Sequence, residues 1–316
     1  MNSQLIQSAS AAGCGLVFSG SGDAVFAALG ASLAGRRALA LPGSPVPLPD
    51  SRVGGGVVIA LPGEGEAYPS LRAAFEASEQ GDRPVAVPLE AGFAAETADF
   101  QPAKYRKQPE RFVPGCERAS MCPGCPYRAA FYLASKLWLR TIAGGGCSLL
   151  GAKRPFLALD AAWGRGTALA ALAGFIAAMP EARRDTIAVC GTDEAGPDGL
   201  ALLAQHGGVA LLVGSGAVDA PEGVALRELD AYDVNGIEAA LKSGLAGQGA
   251  ELILCRGSCG ARSPRLFKTD PNRCRRCGAC GRLGCPAISG RSPVIDPGLC
   301  AGCGLCADVC RCSAIV

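Results

Sequence analysis

Short apolar runs of strand length alternate along this chain with stretches whose apolar residues recur at helical spacing. In the first third, GGVVIALP (55–62) and RPVAVPL (83–89) read as strands, and PSLRAAFEASEQ (69–80) reads as a helix with Pro69 at its first position. LALPGSPVPLPDSRVGGG (39–56) reads as a turn-rich connection, and the Pro-broken polar segment FQPAKYRKQPERFVPGCER (100–118) as a linker. The alternation is cleaner further on. FLALD (156–160), TIAVC (186–190), VALLV (209–213) and ELILC (251–255) have strand length, with helical stretches GTALAALAGFIAAM (166–179) and VNGIEAALKSGL (234–245) between them. Such alternation predicts parallel sheets covered on both faces, with ligands beyond the carboxyl ends of the strands. The loops after Asp160, Cys190 and Val213 are therefore where a cofactor is expected. The last fifty residues lose both periodicities and become dense in Cys and Gly. Three regions follow: an α/β unit and linker over 1–110, a second α/β unit over 111–265, and a Cys-rich module over 266–316.

Composition narrows the function classes. A net charge of +2 and 5% aromatic residues offer neither a basic surface nor stacking platforms for nucleic acid. The longest apolar run, ALAALAGFIAAM, is too short to span a bilayer and reads as a buried helix, so no membrane insertion is expected. The start, MNSQLIQSASAAGCG, lacks the basic opening and apolar core of a secretory leader, and SAAGC without that core is no lipoprotein site. A cytoplasmic location is expected, and there 17 cysteines point to metal rather than to disulfides.

The tail CRRCGACGRLGCPAISGRSPVIDPGLCAGCGLCADVCRC contains two runs of cysteines separated by two residues. The first is Cys274, Cys277, Cys280 and then Cys285; the second is Cys300, Cys303, Cys306 and then Cys310. A CxxCxxC loop wraps three corners of an iron–sulfur cube, and the fourth thiolate comes from the other run. One [4Fe–4S] cluster is thus assigned to Cys274, Cys277, Cys280 and Cys310, and the other to Cys300, Cys303, Cys306 and Cys285. Paired zinc sites are the alternative, but zinc ribbons use CxxC knuckles rather than triples. Arg311 stands where the pattern has Pro, and Cys312 is an extra thiol. Far upstream, Cys122 and Cys125 form an isolated CPGC pair that fixes two corners of a further metal site.

CPGCPYRAAFY (122–132), ERFVPG (110–115) and the tail with its GCPAI resemble the large subunit of indolepyruvate:ferredoxin oxidoreductase, of the thiamine diphosphate-dependent 2-oxoacid:ferredoxin oxidoreductases. The family usually has His where Tyr127 stands. AYPSLRAAFEASEQGDRPVAV looks like the end of that family's pyrimidine-side domain, and YDVNGIEAALKSGL with ELILCRGSC like the end of its diphosphate-side domain. The likeness covers most of residues 55–316, on a chain much shorter than the family's at its N-terminal side. It implies thiamine-diphosphate-binding-like parallel-sheet domains, the first truncated, followed by a two-cluster ferredoxin-like domain. It also implies a second oxidoreductase subunit and a ferredoxin or other redox protein as partners, in an oligomer.

The resemblance further implies a third [4Fe–4S] cluster on Cys122, Cys125, Cys147 and Cys259, with Cys116 and Cys255 as substitutes; scattered thiolates suit zinc as well. The family's magnesium and thiamine diphosphate ligands carry over poorly. Gly191 aligns, but Thr192 stands where the family has Asp, and Ser215 where it has Asn; a one-residue slip would bring in Asp193. Glu64 and Glu66 read as solvated loop residues rather than as the cofactor-activating Glu. Two functions follow: an electron-transfer subunit that has lost thiamine chemistry, which the missing ligands favour, or a catalytic large subunit with a remodelled cofactor site. A zinc-binding interaction protein is a third. His206, the single His, reads as a cation at a helix C-terminus. Trp163 reads as packing, Cys14 and Cys190 as small buried hydrophobes, and EARRD (181–185) as a solvated face or helix end.

Overall fold

A computed structural model describes residues 2–46, 54–102, 120–260 and 263–316. The first unit has helix α1 (Asn2–Ala11), strand β1 (Leu16–Gly20), helix α2 (Asp23–Leu33), strands β2 (Ala38–Pro42) and β3 (Val57–Leu61), helix α3 (Leu71–Gly81) and strand β4 (Val85–Pro88). The four strands are parallel and lie in sequence order. β2 and β3 are buried at every position, which is why they read as continuous apolar runs rather than alternating ones. The structure corrects two sequence expectations here. Residues 39–42 belong to β2 rather than to a connection. Pro69 lies before helix α3, whose N-cap is Ser70, its hydroxyl accepting from Ala73 N at 3.3 Å.

The second unit runs α4 (Tyr127–Lys136), β5 (Arg140–Ala143), β6 (Ala161–Ala162), α5 (Ala168–Ala178), β7 (Thr186–Gly191), α6 (Pro197–His206), β8 (Gly208–Val213), β9 (Val224–Asp230), α7 (Val234–Ala246) and β10 (Ala250–Arg256). Its six strands are parallel in the order β6-β5-β7-β8-β10-β9. TIAVC, VALLV and ELILC are strands as expected. FLALD is not: those residues form a loop into the two-residue β6, because Leu157 takes a left-handed φ of 46° that breaks the extended path. β5 and β9 escaped the apolar pattern. β5 is short, and β9 is an edge strand whose residues mostly face solvent.

Helices α2 and α5 pack between the two sheets, in one core that joins Phe18, Ala40 and Ile59 of the first unit to Ile142, Ala188 and Leu252 of the second. Their approach is close enough that a Cβ on Gly30 would overlap the Ala171 carbonyl, and one on Gly174 the Ala27 carbonyl. No described helix is long and apolar enough to cross a membrane.

The tail contributes strands β11 (Ile288–Ser289) and β12 (Val294–Ile295), paired antiparallel, and the short helix α8 (Leu305–Asp308). Lys268 and Val316 exchange both backbone hydrogen bonds, at 2.9 and 3.0 Å, and so close the module's two ends together. Phe267, Leu283, Ile295, Leu305 and Ile315 share one buried cluster with Phe131 and Leu133 of α4. A segment this small has little core of its own; this one completes its core on α4. The segment read as a linker lies outside the described residues from residue 103 on.

Helix α4 ends in a Schellman turn: Leu139 N donates to Ala134 O at 3.0 Å and Trp138 N to Ser135 O at 3.4 Å. The left-handed position, usually Gly, is Trp138, with φ 57° and 91% exposure. An L-residue pays about 1–2 kcal/mol there, and this side chain buries almost nothing in return. Trp138→Gly is expected to stabilise the chain by about 1 kcal/mol; a lower denaturant midpoint in the variant would contradict this.

Candidate functional site

The chain leaves β5 toward β6 on one side and returns to β7 on the other, so the sheet's connection order reverses between β5 and β7. A crevice opens at the strand ends of such a switch point. The crevice is filled by the chain itself. Buried Glu194 accepts from Gly145 N at 2.8 Å, Gly166 N at 3.0 Å and Gly191 N at 3.1 Å, one amide from the end of each of three adjacent strands. Asp193 is exposed and ion-paired with Arg165. The hydroxyl of buried Thr192 accepts from Gly216 N at 3.2 Å, while Ser215 on that loop faces solvent. The Tyr127 hydroxyl reaches this floor, 3.2 Å from where a Cβ on Gly191 would lie. Burial, then Glu194, raises the Tyr127 pKa, so the phenol stays protonated.

A magnesium–diphosphate group needs oxygen ligands for a hard cation and open N–H donors for its phosphates. These residues do not fit it. Thr192 and Ser215 offer only hydroxyls, Asp193 is taken by Arg165, and the three converging donors already hold a carboxylate. Glu64 and Glu66 are exposed in the loop after β3, as their sequence suggested.

The thiols gather elsewhere. Cys285, Cys300, Cys303 and Cys306 line one cavity, walled by Leu283, Ile295 and Leu305. Burial, then Cys303, Cys285 and Cys300, pushes the Cys306 thiol up to about 12. Cys280 is raised by burial, then by Cys310 and Cys277 among its neighbours, while half-buried Cys274 opens the same loop. Cys285 thus lies with the second run and Cys310 with the first. Ala314 N donates to Cys310 Sγ at 3.3 Å, and Cys312 Sγ stands 3.7 Å from that sulfur, closer to the set than a bystander need be.

Around the CPGC loop, burial pushes Cys125 up to about 11, with Cys147 and Cys122 adding to the shift. The loop bearing Cys259 abuts it: a Cβ on Gly257 would lie 2.9 Å from Pro126 Cβ. Tyr232 ties the group together, donating its hydroxyl to Gly124 O at 2.7 Å and sensing Cys303, Cys125 and Cys259. Cys255, named as a substitute ligand, lies on β10. It is buried in the β10 core, where desolvation lifts its thiol to about 12. Cys116 lies outside the described residues. Among the described residues, no three Cys, His, Asp or Glu side chains converge on a single ion.

Arg128 links the two thiol groups. It is 1% exposed and lines the cavity of Cys285, Cys300, Cys303 and Cys306. It donates to Leu283 O at 2.5 Å, Met121 O at 3.0 Å and Cys122 O at 2.6 Å, and its Nε has no partner. Among the described residues no carboxylate pairs with it. A buried cation held only by carbonyls suits an anionic neighbour, and an iron–sulfur centre on four thiolates is one. The donor set and its surroundings fit that group.

Sequence reasoning missed Arg128, Glu194, Tyr232 and Arg165. Arg128 left a readable sign: it is the one charge in the buried stretch YRAAFYLAS. Glu194 left none, since its partners converge only through sheet topology. His206 closes α6 as expected but packs edge-on against Phe18 at 5.9 Å, and burial lowers its pKa. It is neutral there and provides no cation to the helix end.

The sequence matches no protein-family model and no curated protein. Among solved structures, the chain is distantly similar to a thiamine diphosphate-dependent 4-hydroxybenzoylformate decarboxylase from Rhodococcus jostii RHA1. Identity is 14% and the TM-score 0.34, over 81% of this chain and 64% of that one. It is likewise similar to 2-oxoglutarate:ferredoxin oxidoreductase from Magnetococcus marinus, at 14% identity and TM-score 0.29, over 60% of this chain and 35% of that one.

Proposed function

We propose that this chain is an iron–sulfur electron-transfer subunit of a 2-oxoacid:ferredoxin oxidoreductase-like complex, and that its thiamine site no longer operates. The observation that carries this reading is the cavity in which Cys285 meets Cys300, Cys303 and Cys306 beside a buried arginine that no carboxylate among the described residues pairs with. [4Fe–4S] clusters, when bound, supply one-electron steps at low potential.

The chain's own residues do the rest. The Cys274–Cys277–Cys280–Cys310 set shares the tail with the Cys285–Cys300–Cys303–Cys306 set, and the latter is joined to the Cys122–Cys125–Cys147–Cys259 set by Arg128 and Tyr232. With clusters bound, that succession would give a path from the tail to the CPGC loop. Each transfer moves one electron and breaks no bond. A partner oxidoreductase subunit supplies or takes the electron at one end, and a ferredoxin or another redox protein at the other. Leu283, Ile295 and Leu305 keep water from the second set.

Anaerobically purified full-length chain is expected to hold about twelve irons with equal sulfide, four per cluster, and no thiamine. Zinc in place of iron would instead support a zinc-binding protein. About eight irons would remove the Cys122-centred cluster and leave the tail pair.

A further inference from the structure

Arg128 is the largest of the fully buried side chains. A guanidinium does not give up its proton in a protein, so the charge is present whatever surrounds it. Its three hydrogen-bond acceptors are backbone carbonyls, which offer dipoles but no countercharge. One of its nitrogens, Nε, is buried without a partner. A buried charge in this state is costly unless an anion completes it. The cavity that Arg128 lines is the one that Cys285, Cys300, Cys303 and Cys306 also line. Through Met121 O and Cys122 O, the same guanidinium is anchored on the CPGC loop.

We propose that Arg128 is the countercharge of the iron–sulfur centre held by Cys285, Cys300, Cys303 and Cys306, and that it raises the reduction potential of that centre above what its thiolates alone would set. The inference rests on the iron–sulfur reading given above. Four thiolates leave such a centre net negative, and an incoming electron adds one further negative charge. A fixed cation lining the same cavity favours the reduced form, and net charge and hydrogen bonding are the levers that set such potentials. The position between two thiol sets gives the effect a consequence. A centre held there would take an electron from either neighbouring set more readily than its thiolates alone would allow. A clamp that merely tied Met121 and Cys122 to Leu283 would have no such effect.

The test uses the full-length chain, purified anaerobically, with iron counted before any potential is measured. In an EPR-monitored redox titration, Arg128→Gln is expected to keep its iron and to shift one midpoint, that of the Cys285 centre, to more negative potential. Arg128→Lys, which keeps the charge, is expected to recover most of the shift. The Cys274-set midpoint stays where it was. Wild-type protein labelled with 15N-arginine and poised at the midpoint of that centre is expected to show a 15N coupling to it in pulsed EPR, which needs no variant to fold. An iron-loaded Arg128→Gln with every midpoint unchanged, or labelled wild type without the coupling, would overturn the proposal and leave the iron–sulfur reading standing. Wild type without iron would overturn both.

Discussion

Cys285→Ser is expected to remove about four of about twelve irons from the full-length chain, and to remove them from the centre that Cys300, Cys303 and Cys306 share. In sequence, Cys285 follows Cys274, Cys277 and Cys280; in space it lines a cavity with the other run. A serine hydroxyl is a harder, poorer ligand for iron than a thiolate, and three thiolates leave one iron of the cube exposed. Cys310→Ser is expected to strip the opposite centre, because Cys310 acts on Cys280. Cluster-resolved EPR, with iron and sulfide counts on both variants, reads the result. The reverse pattern, in which Cys285→Ser damages the Cys274 centre, would mean that each run closes on itself. The first variant should also loosen the tail, since Leu283, Ile295 and Leu305 around that cavity belong to the core that joins the tail to α4.

Magnesium–thiamine diphosphate at up to about 1 mM is expected to give no binding heat, which places any affinity weaker than about −4 kcal/mol. The reason is positional. Donors from the ends of β5, β6 and β7 converge as an anion cradle would require, but Glu194 already accepts all three. Opening the cradle means breaking three charge-assisted hydrogen bonds, and no carboxylate at Thr192 or amide at Ser215 stands ready for the metal. Glu194→Gln should therefore be felt as lost stability rather than as gained cofactor. With its amide nitrogen turned toward N–H donors, the variant is expected to lose about 3 kcal/mol, the scale for buried hydrogen bonds to a charge left unmade. Chemical denaturation of iron-loaded protein checks this. Micromolar cofactor binding by wild type would restore the catalytic reading.

Much of this molecule is local, and what is local was legible. VVIAL, TIAVC, VALLV and ELILC are strands because four to six apolar residues between turns fit a sheet buried on both faces. ALAALAGFIAA is apolar on every side because α5 lies between two sheets. The two CxxCxxC runs are legible as runs by spacing alone, and the iron–sulfur chemistry proposed for them rests on that spacing. Elements without such a signal were missed or misread. β9 is an exposed edge, β5 has four residues, and FLALD has strand composition but a left-handed residue at its second position.

The amino-acid sequence by itself therefore determined the parallel α/β class and the Cys-rich character of the tail. Only the tertiary structure decided which residues meet. It carried Cys285 across to the second run, brought Cys147 and the Cys259 loop to the CPGC turn, and set Arg128 between two thiol groups with no carboxylate of the described residues beside it. It also turned Glu194 inward, onto amides supplied by residues 145, 166 and 191. The physical reason is the same each time. Periodicity and ligand spacing are properties of neighbouring residues, whereas a buried charge acquires its partners only when the order of strands in a sheet brings distant loops to one edge.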